Sequence, residues 1–140
     1  MMEPNQEHLT LKNEVEELNK LPAFVESVCE KAGIDIMLVA SLNLAVEEAV
    51  TNVILYAYPK EEEGLVDIDT TYDEKCITFI ITDSGFEFDP TEKEDVDTTL
   101  GVEERSIGGL GIHLVKQIMD SVTYERVDGK NVLTLRKNLT

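Results

Sequence analysis

From His8 to Val15 polar and apolar residues alternate, the period-two signature of a short strand with one buried face. Leu18, Leu21, Val25, Val28 and Ala32 then recur at helical spacing up to Gly33, with Pro22 leaving the position of the first turn open. Asp35 is placed to cap a second helix, whose stripe of Leu38, Leu42, Ala45, Ala49 and Val53 runs to the Tyr58-Pro59 pair. Two β-rich runs follow, Leu65 to Tyr72 and Cys76 to Thr82, joined at Asp73-Glu74 as in an antiparallel hairpin. An acidic, weakly apolar loop from Asp89 to Glu104 leads to a helical pattern from Gly108 to Asp120, in which Leu110, Leu114, Val115 and Ile118 share one side. The tail predicts another hairpin, Ser121 to Val127 and Val132 to Leu139, reversing at Asp128-Gly129. This order predicts an α+β fold, a two-layer sandwich in which helices cover one face of a mostly antiparallel, mixed sheet.

Composition narrows the function classes. With 140 residues and no repeat or Gly/Ser linker, one domain over 1–140 is expected. Twelve basic against 29 acidic side chains give a formal charge of -17, which repels nucleic-acid phosphates and anionic headgroups, so neither is expected as a direct partner. No run approaches the ~18 to 20 uninterrupted apolar residues of a membrane span, and the first residues lack a signal peptide's basic and apolar regions. A cytoplasmic protein is expected. Cys29 and Cys76 lack metal-ligand spacing and suit reduced thiols, while His8 and His113 are too far apart in sequence to suggest a zinc site.

Three features carry chemistry. On a helix at ~100° per residue, Asn52 falls ~40° from Glu48, and both border the apolar stripe, whereas Glu47 points ~100° to the other side. Asp83-Ser84-Gly85 follows a strand and joins a carboxylate to a glycine where backbone can approach a ligand. Ser106-Ile107-Gly108-Gly109-Leu110-Gly111 runs into a helix, so backbone N–H groups and the helix dipole could hold phosphate without basic side chains. Taken singly, these are also a solvated boundary pair, a turn and a loop hinge.

Together, in order and spacing, Glu48-Ala49-Val50-Thr51-Asn52, Asp83-Ser84-Gly85 and Gly108-Gly109-Leu110-Gly111 resemble the N, G1 and G2 boxes of the GHKL ATPases, which share the Bergerat fold. The wording of the first box and the short chain most resemble the bacterial anti-sigma factor serine kinases. The resemblance implies ATP and magnesium as cofactors, Glu48 as general base, Asn52 as metal ligand and Asp83 as acceptor for the adenine amino group. It implies that Thr51 can touch phosphate and that Gly85 and Phe88 line the base. Arg105, Ser106, Ile107, Gly108, Gly109, Leu110 and Gly111 would form the hinge and phosphate grip of an ATP lid over 89–107. Arg105 is the sole basic residue between Lys93 and Lys116. The implied partners are a sigma factor and an anti-sigma-factor antagonist, and the implied state is a homodimer. Two positions differ from the family's usual wording. Phe86-Glu87-Phe88 follows Gly85 where a second glycine is common, and Lys130-Asn131 stands where many members carry Gly-Thr.

The resemblance therefore predicts an ATP- and magnesium-dependent serine kinase that phosphorylates the antagonist and otherwise sequesters the sigma factor. Its alternative is a nucleotide-responsive binding module without transfer, which needs Asn52 and Asp83 but no base at Glu48. A detached histidine-kinase ATPase domain would need a separate histidine protein as acceptor. His113 and the acidic run 92–95 are expected to be ordinary helix and solvated-loop residues.

Overall fold

The computed structural model describes residues 5–58, 62–92 and 107–139. Strand β1, Gln6–Lys12, ends before the alternating pattern does. The reason is long-range: Asn13 takes Gly64 as backbone partner, while its side chain accepts from Gly64 N–H at 2.9 Å and donates to Glu62 O at 2.7 Å. The chain then forms a 3-10 helix at Val15–Lys20, which the spacing does not predict. Helix α1 spans Leu21–Ala32, with Pro22 in the first turn, where its missing N–H costs nothing. Gly33, at φ 71°, ends it in the left-handed conformation.

Helix α2, Ile36–Tyr56, begins where Asp35 Oδ1 accepts from Met37 N–H at 2.8 Å, the cap expected from sequence. By length and composition alone it could cross a membrane. Here it is the central helix of the core, with Leu42, Ala45, Val46, Ala49, Val50 and Val53 buried, and it packs on α1 and on α3 (Ile107–Ile118). The other strands are β2 Leu65–Tyr72, β3 Cys76–Asp83, β4 Ser121–Val127 and β5 Lys130–Asn138. Asp128 and Gly129, at φ 49° and 78°, make the last reversal a tight turn.

Among the described residues these strands form one sheet in the order β1-β2-β3-β5-β4, antiparallel at every pairing. Alternate residues of β2 and β3 are buried, among them Ile68, Phe79 and Ile81, which gives the sheet one core face beneath the helices. This is the α+β sandwich expected. Insertion of β5 between β3 and β4 places Asn131 directly opposite Asp83. Cys29 is buried in the core, and burial pushes its thiol up to about 11, so it stays protonated at neutral pH.

Candidate active site

The site is built along one edge of α2. Glu48 and Asn52, one turn apart, share that edge, and Asn52 Nδ2 donates to Glu48 O at 3.1 Å. Asn52 is 1% exposed, and its Oδ1, like Asn43 Oδ1 and Thr70 Oγ1, is buried without a hydrogen-bond partner among the described residues. Leaving such an oxygen unsatisfied costs ~1–3 kcal/mol, so its retention suits a ligand that supplies the missing partner. An amide oxygen is a ligand type that Mg2+ accepts, and this ion needs only one or two protein groups when phosphates complete its shell. The residues present therefore fit the metal that the resemblance implies.

Glu48 is half-buried. Desolvation, and secondarily the charge of Glu47, raise its pKa above the ordinary carboxylate value. A carboxylate so tuned is a better proton acceptor than an exposed one. Thr51 is arranged differently: its hydroxyl donates to Glu47 O at 2.7 Å, a bond within the helix that leaves no hydroxyl proton for phosphate in this conformation.

Beyond the last turn of α2 lies the loop after β3. Asp83 is 3% exposed. Its Oδ1 accepts from Gly85 N–H at 2.8 Å and from Asn131 Nδ2 at 2.9 Å. Both bonds converge on one oxygen, so Oδ2 has no hydrogen-bonded partner among the described residues. Burial raises the Asp83 pKa, while the bonds from Asn131 and Gly85 and the charge of Arg126 pull the other way. The loop is seated on the end of α2: Phe86 N–H donates to Ala57 O at 2.7 Å, and Ser84 N–H donates to the Tyr58 hydroxyl at 2.8 Å, which itself donates to Leu65 O. The Phe88 and Tyr56 rings lie 5.8 Å apart, centroid to centroid. From Tyr56, Asn52 is one turn back and Glu48 two, ~12 Å along the helix axis. Asp83, whose loop is seated on the end of α2, and Glu48 are thus separated by at least two helical turns.

Gly85 is required by packing at this seat, because a Cβ there would lie 2.0 Å from Ala57 O. Gly108, Gly109 and Gly111 belong to the first turns of α3 and do not form a loop before it. The first N–H groups of a helix have no intrahelical acceptor, which is the property a phosphate grip uses. Arg105 and Ser106 lie outside the described residues, as do the side chains of Ile107 and Leu110 and most of the expected lid; Pro90–Glu92 at its start forms a short 3-10 helix. His113 is half-buried, 3.3 Å from Gln117 Nε2.

Sequence reasoning did not assign a role to Asn131, Tyr124, Arg126 or Tyr58. Asn131 had one visible signal, its departure from Gly-Thr. The others depend on strand order, which no local pattern encodes.

Residues 11–137 match the histidine kinase-like ATPase domain family. The serine-protein kinase RsbW of Listeria monocytogenes is 30% identical over 113 residues, covering 78% of this chain and 72% of that protein. RsbW of Bacillus subtilis is 32% identical over 98 residues, covering 67% of this chain and 61% of that one. The structure of the RsbU and RsbW domains of Rv1364c from Mycobacterium tuberculosis superposes with a TM-score of 0.67 at 14% identity, over 94% of this chain and 32% of that one, a likeness of fold. The chain belongs to the histidine kinase-like ATPase family and, within it, to the serine/threonine-protein kinase branch that RsbW represents. That is the branch whose motifs the sequence resembles.

Proposed function

We propose that this kinase uses ATP with magnesium to phosphorylate a serine of an anti-sigma-factor antagonist, and that it sequesters a sigma factor when the antagonist is unavailable. The observation that carries the reading is the buried Asn52 Oδ1, without a hydrogen-bond partner among the described residues, one turn from a half-buried carboxylate of raised pKa. Bound magnesium would supply charge neutralisation at the phosphates, with Asn52 Oδ1 as its protein ligand. Glu48 accepts the proton of the attacking serine hydroxyl, while Asp83 Oδ2 accepts from the adenine amino group, and Gly85 and Phe88 line the base. By family resemblance, the segment from Arg105 to Gly111 grips phosphate as the hinge of a lid over 89–107. The same reading makes residues 1–140 one ATPase unit, cytoplasmic and homodimeric, and the charge of -17 argues against direct nucleic-acid or membrane contact. Incubation with labelled ATP and candidate antagonists encoded alongside the protein tests it. Label should appear on an antagonist serine, and capture of a partner without transfer by any active preparation would favour the binding module.

Asp83→Asn tests the base end. The two donors that hold Oδ1 would hold the amide oxygen of the asparagine there, leaving its NH2 to face the adenine amino group. One hydrogen bond to a charged acceptor is worth ~1.5–3 kcal/mol, so ATP affinity should fall by roughly one to two decades, and discrimination against a base with a carbonyl at that position should narrow. Unchanged affinity in a folded variant, read by calorimetry, would remove Asp83 from the site.

Glu47→Gln tests the phosphate end. Removing its charge relieves the Coulombic part of the upward shift on Glu48, so the acid limb of the pH–rate profile should move to lower pH while the plateau rate stays near wild type. A plateau reduced tenfold or more would place Glu47 in the chemistry.

A further inference from the structure

Asn131 is 3% exposed, and every polar valence of its side chain is used. Nδ2 donates to Asp83 Oδ1 at 2.9 Å and to Phe86 O at 2.6 Å. Oδ1 accepts from the Tyr124 hydroxyl at 2.5 Å, from Arg126 at 3.1 Å and from Phe88 N–H at 3.2 Å. Arg126 also donates to Gly85 O at 3.0 Å. This pattern determines the orientation of the amide, since a flip would set its oxygen against a carboxylate and a carbonyl. Asn131 and Arg126 together hold the 83–88 loop at Asp83, Gly85, Phe86 and Phe88. The titratable and charged groups facing the amide are thus Asp83 from β3 and Tyr124 and Arg126 from β4, with the loop carboxylates Glu87 and Asp89 close enough to act on Tyr124.

We infer that Asn131 is the positioning residue of the base pocket: it occupies Asp83 Oδ1, so that Oδ2 is presented to an exocyclic amino group of a purine, and it holds the loop in place of a second glycine. The inference rests on the proposal that Asp83 recognises adenine. Pre-organisation follows physically, because a loop tied down during folding has less freedom to lose when ligand arrives. A flexible Asp-x-Gly-x-Gly loop would lose more. Phe86-Glu87-Phe88 can therefore replace the flexible wording without loss of the site, provided that Asn131 clamps it.

The test compares binding of ATP with that of a purine riboside triphosphate lacking the amino group, for wild type, Asn131→Ser, Asn131→Asp and Asp83→Asn, with melting temperatures alongside. Wild type should prefer ATP by roughly one to two decades, the worth of one hydrogen bond to a charged acceptor. Asn131→Ser should reduce that preference at least threefold. Asn131→Asp keeps the three accepted bonds but places a carboxylate against Asp83, so at pH 8 its ATP affinity should fall about tenfold or more. Affinity should recover towards wild type at pH 6, as the two carboxylates come to share a proton. A role confined to stability would lower melting temperature while leaving the preference for the amino group and its pH dependence intact. If Asp83→Asn leaves ATP affinity unchanged, the adenine reading fails. If Asp83→Asn weakens ATP but the folded Asn131 variants keep the full preference, this inference alone is overturned. Should Asn131→Asp fail to fold at pH 8, the preference measured with Asn131→Ser decides.

Discussion

Glu48→Gln should lower single-turnover phosphorylation of the cognate antagonist by ~10² to 10⁴ while ATP binding stays within about twofold of wild type. The substitution keeps size and hydrogen-bonding capacity and removes only the ability to take a proton. The backbone carbonyl of residue 48, which receives Asn52 Nδ2, is unaltered, so the Asn52 side chain should remain in place. Stability gives an independent sign. Because desolvation and Glu47 raise the folded-state pKa of Glu48, the native state binds the proton more tightly than the unfolded chain. Stability from this group is therefore lost as pH rises from the ordinary glutamate value through the raised one, and at neutral pH the ionised side chain is a burden on the fold. Glu48→Gln removes that burden, so its melting temperature at pH 7 should equal or exceed that of wild type. Loss of transfer with no loss of stability is the signature of a residue kept for chemistry. Rapid-quench measurements finding Glu48 dispensable and Glu47 essential would overturn the phasing of α2 on which this assignment depends.

That phasing was legible in the sequence because a helix converts spacing into direction. Placed ~40° apart beside an apolar stripe, Glu48 and Asn52 could be assigned to one edge before any fold was known. Asp35 as a cap and Asp128-Gly129 as a reversal were legible for the same reason, since each acts within a few residues. The end of β1 was not, because the group that stops it, Asn13, makes its bonds to Glu62 and Gly64. Pro22 marked a boundary but not its side; α1 begins at Leu21, so the Leu18 end of the expected helix became a 3-10 segment. Asn131 stayed without a role until strand order was known. A reader of the sequence sees Asp83 and Asn131 separated by 48 residues, and only the insertion of β5 beside β3 makes them neighbours. The side chains proposed to carry chemistry were visible from local pattern, whereas the groups that hold Asp83 in place were not, because those bonds run across the sheet.

The remaining large effect is expected at Gly85, where the loop makes a close backbone approach to the end of α2. A Cβ at this position would lie 2.0 Å from Ala57 O, 2.6 Å from Ala57 C and 3.0 Å from Ala57 Cβ. Two of these are backbone atoms at the end of the core helix, so no rotamer change relieves the contact, and Gly85→Ala must push the loop away from α2. The displacement strains the Phe86 N–H to Ala57 O bond and the bond from Gly85 N–H to Asp83 Oδ1. Overpacking costs ~1–3 kcal/mol, and each of the two hydrogen bonds, if lost, adds ~0.5–1.5 kcal/mol, roughly 2–6 kcal/mol together. For a chain of this length that corresponds to a fall in melting temperature of about 6–20 °C. ATP affinity should fall at least tenfold in the fraction that remains folded, because Asp83 and Phe88 move with the loop. Gly33→Ala is the control: Gly33 lies at φ 71° with nothing within 4 Å of its Cβ position, so alanine there should cost ~1 kcal/mol of backbone strain and leave nucleotide binding untouched. Equal melting temperatures for Gly85→Ala and wild type, together with equal ATP affinities, would mean that the loop is not seated on α2 and that the base end of the site is built some other way.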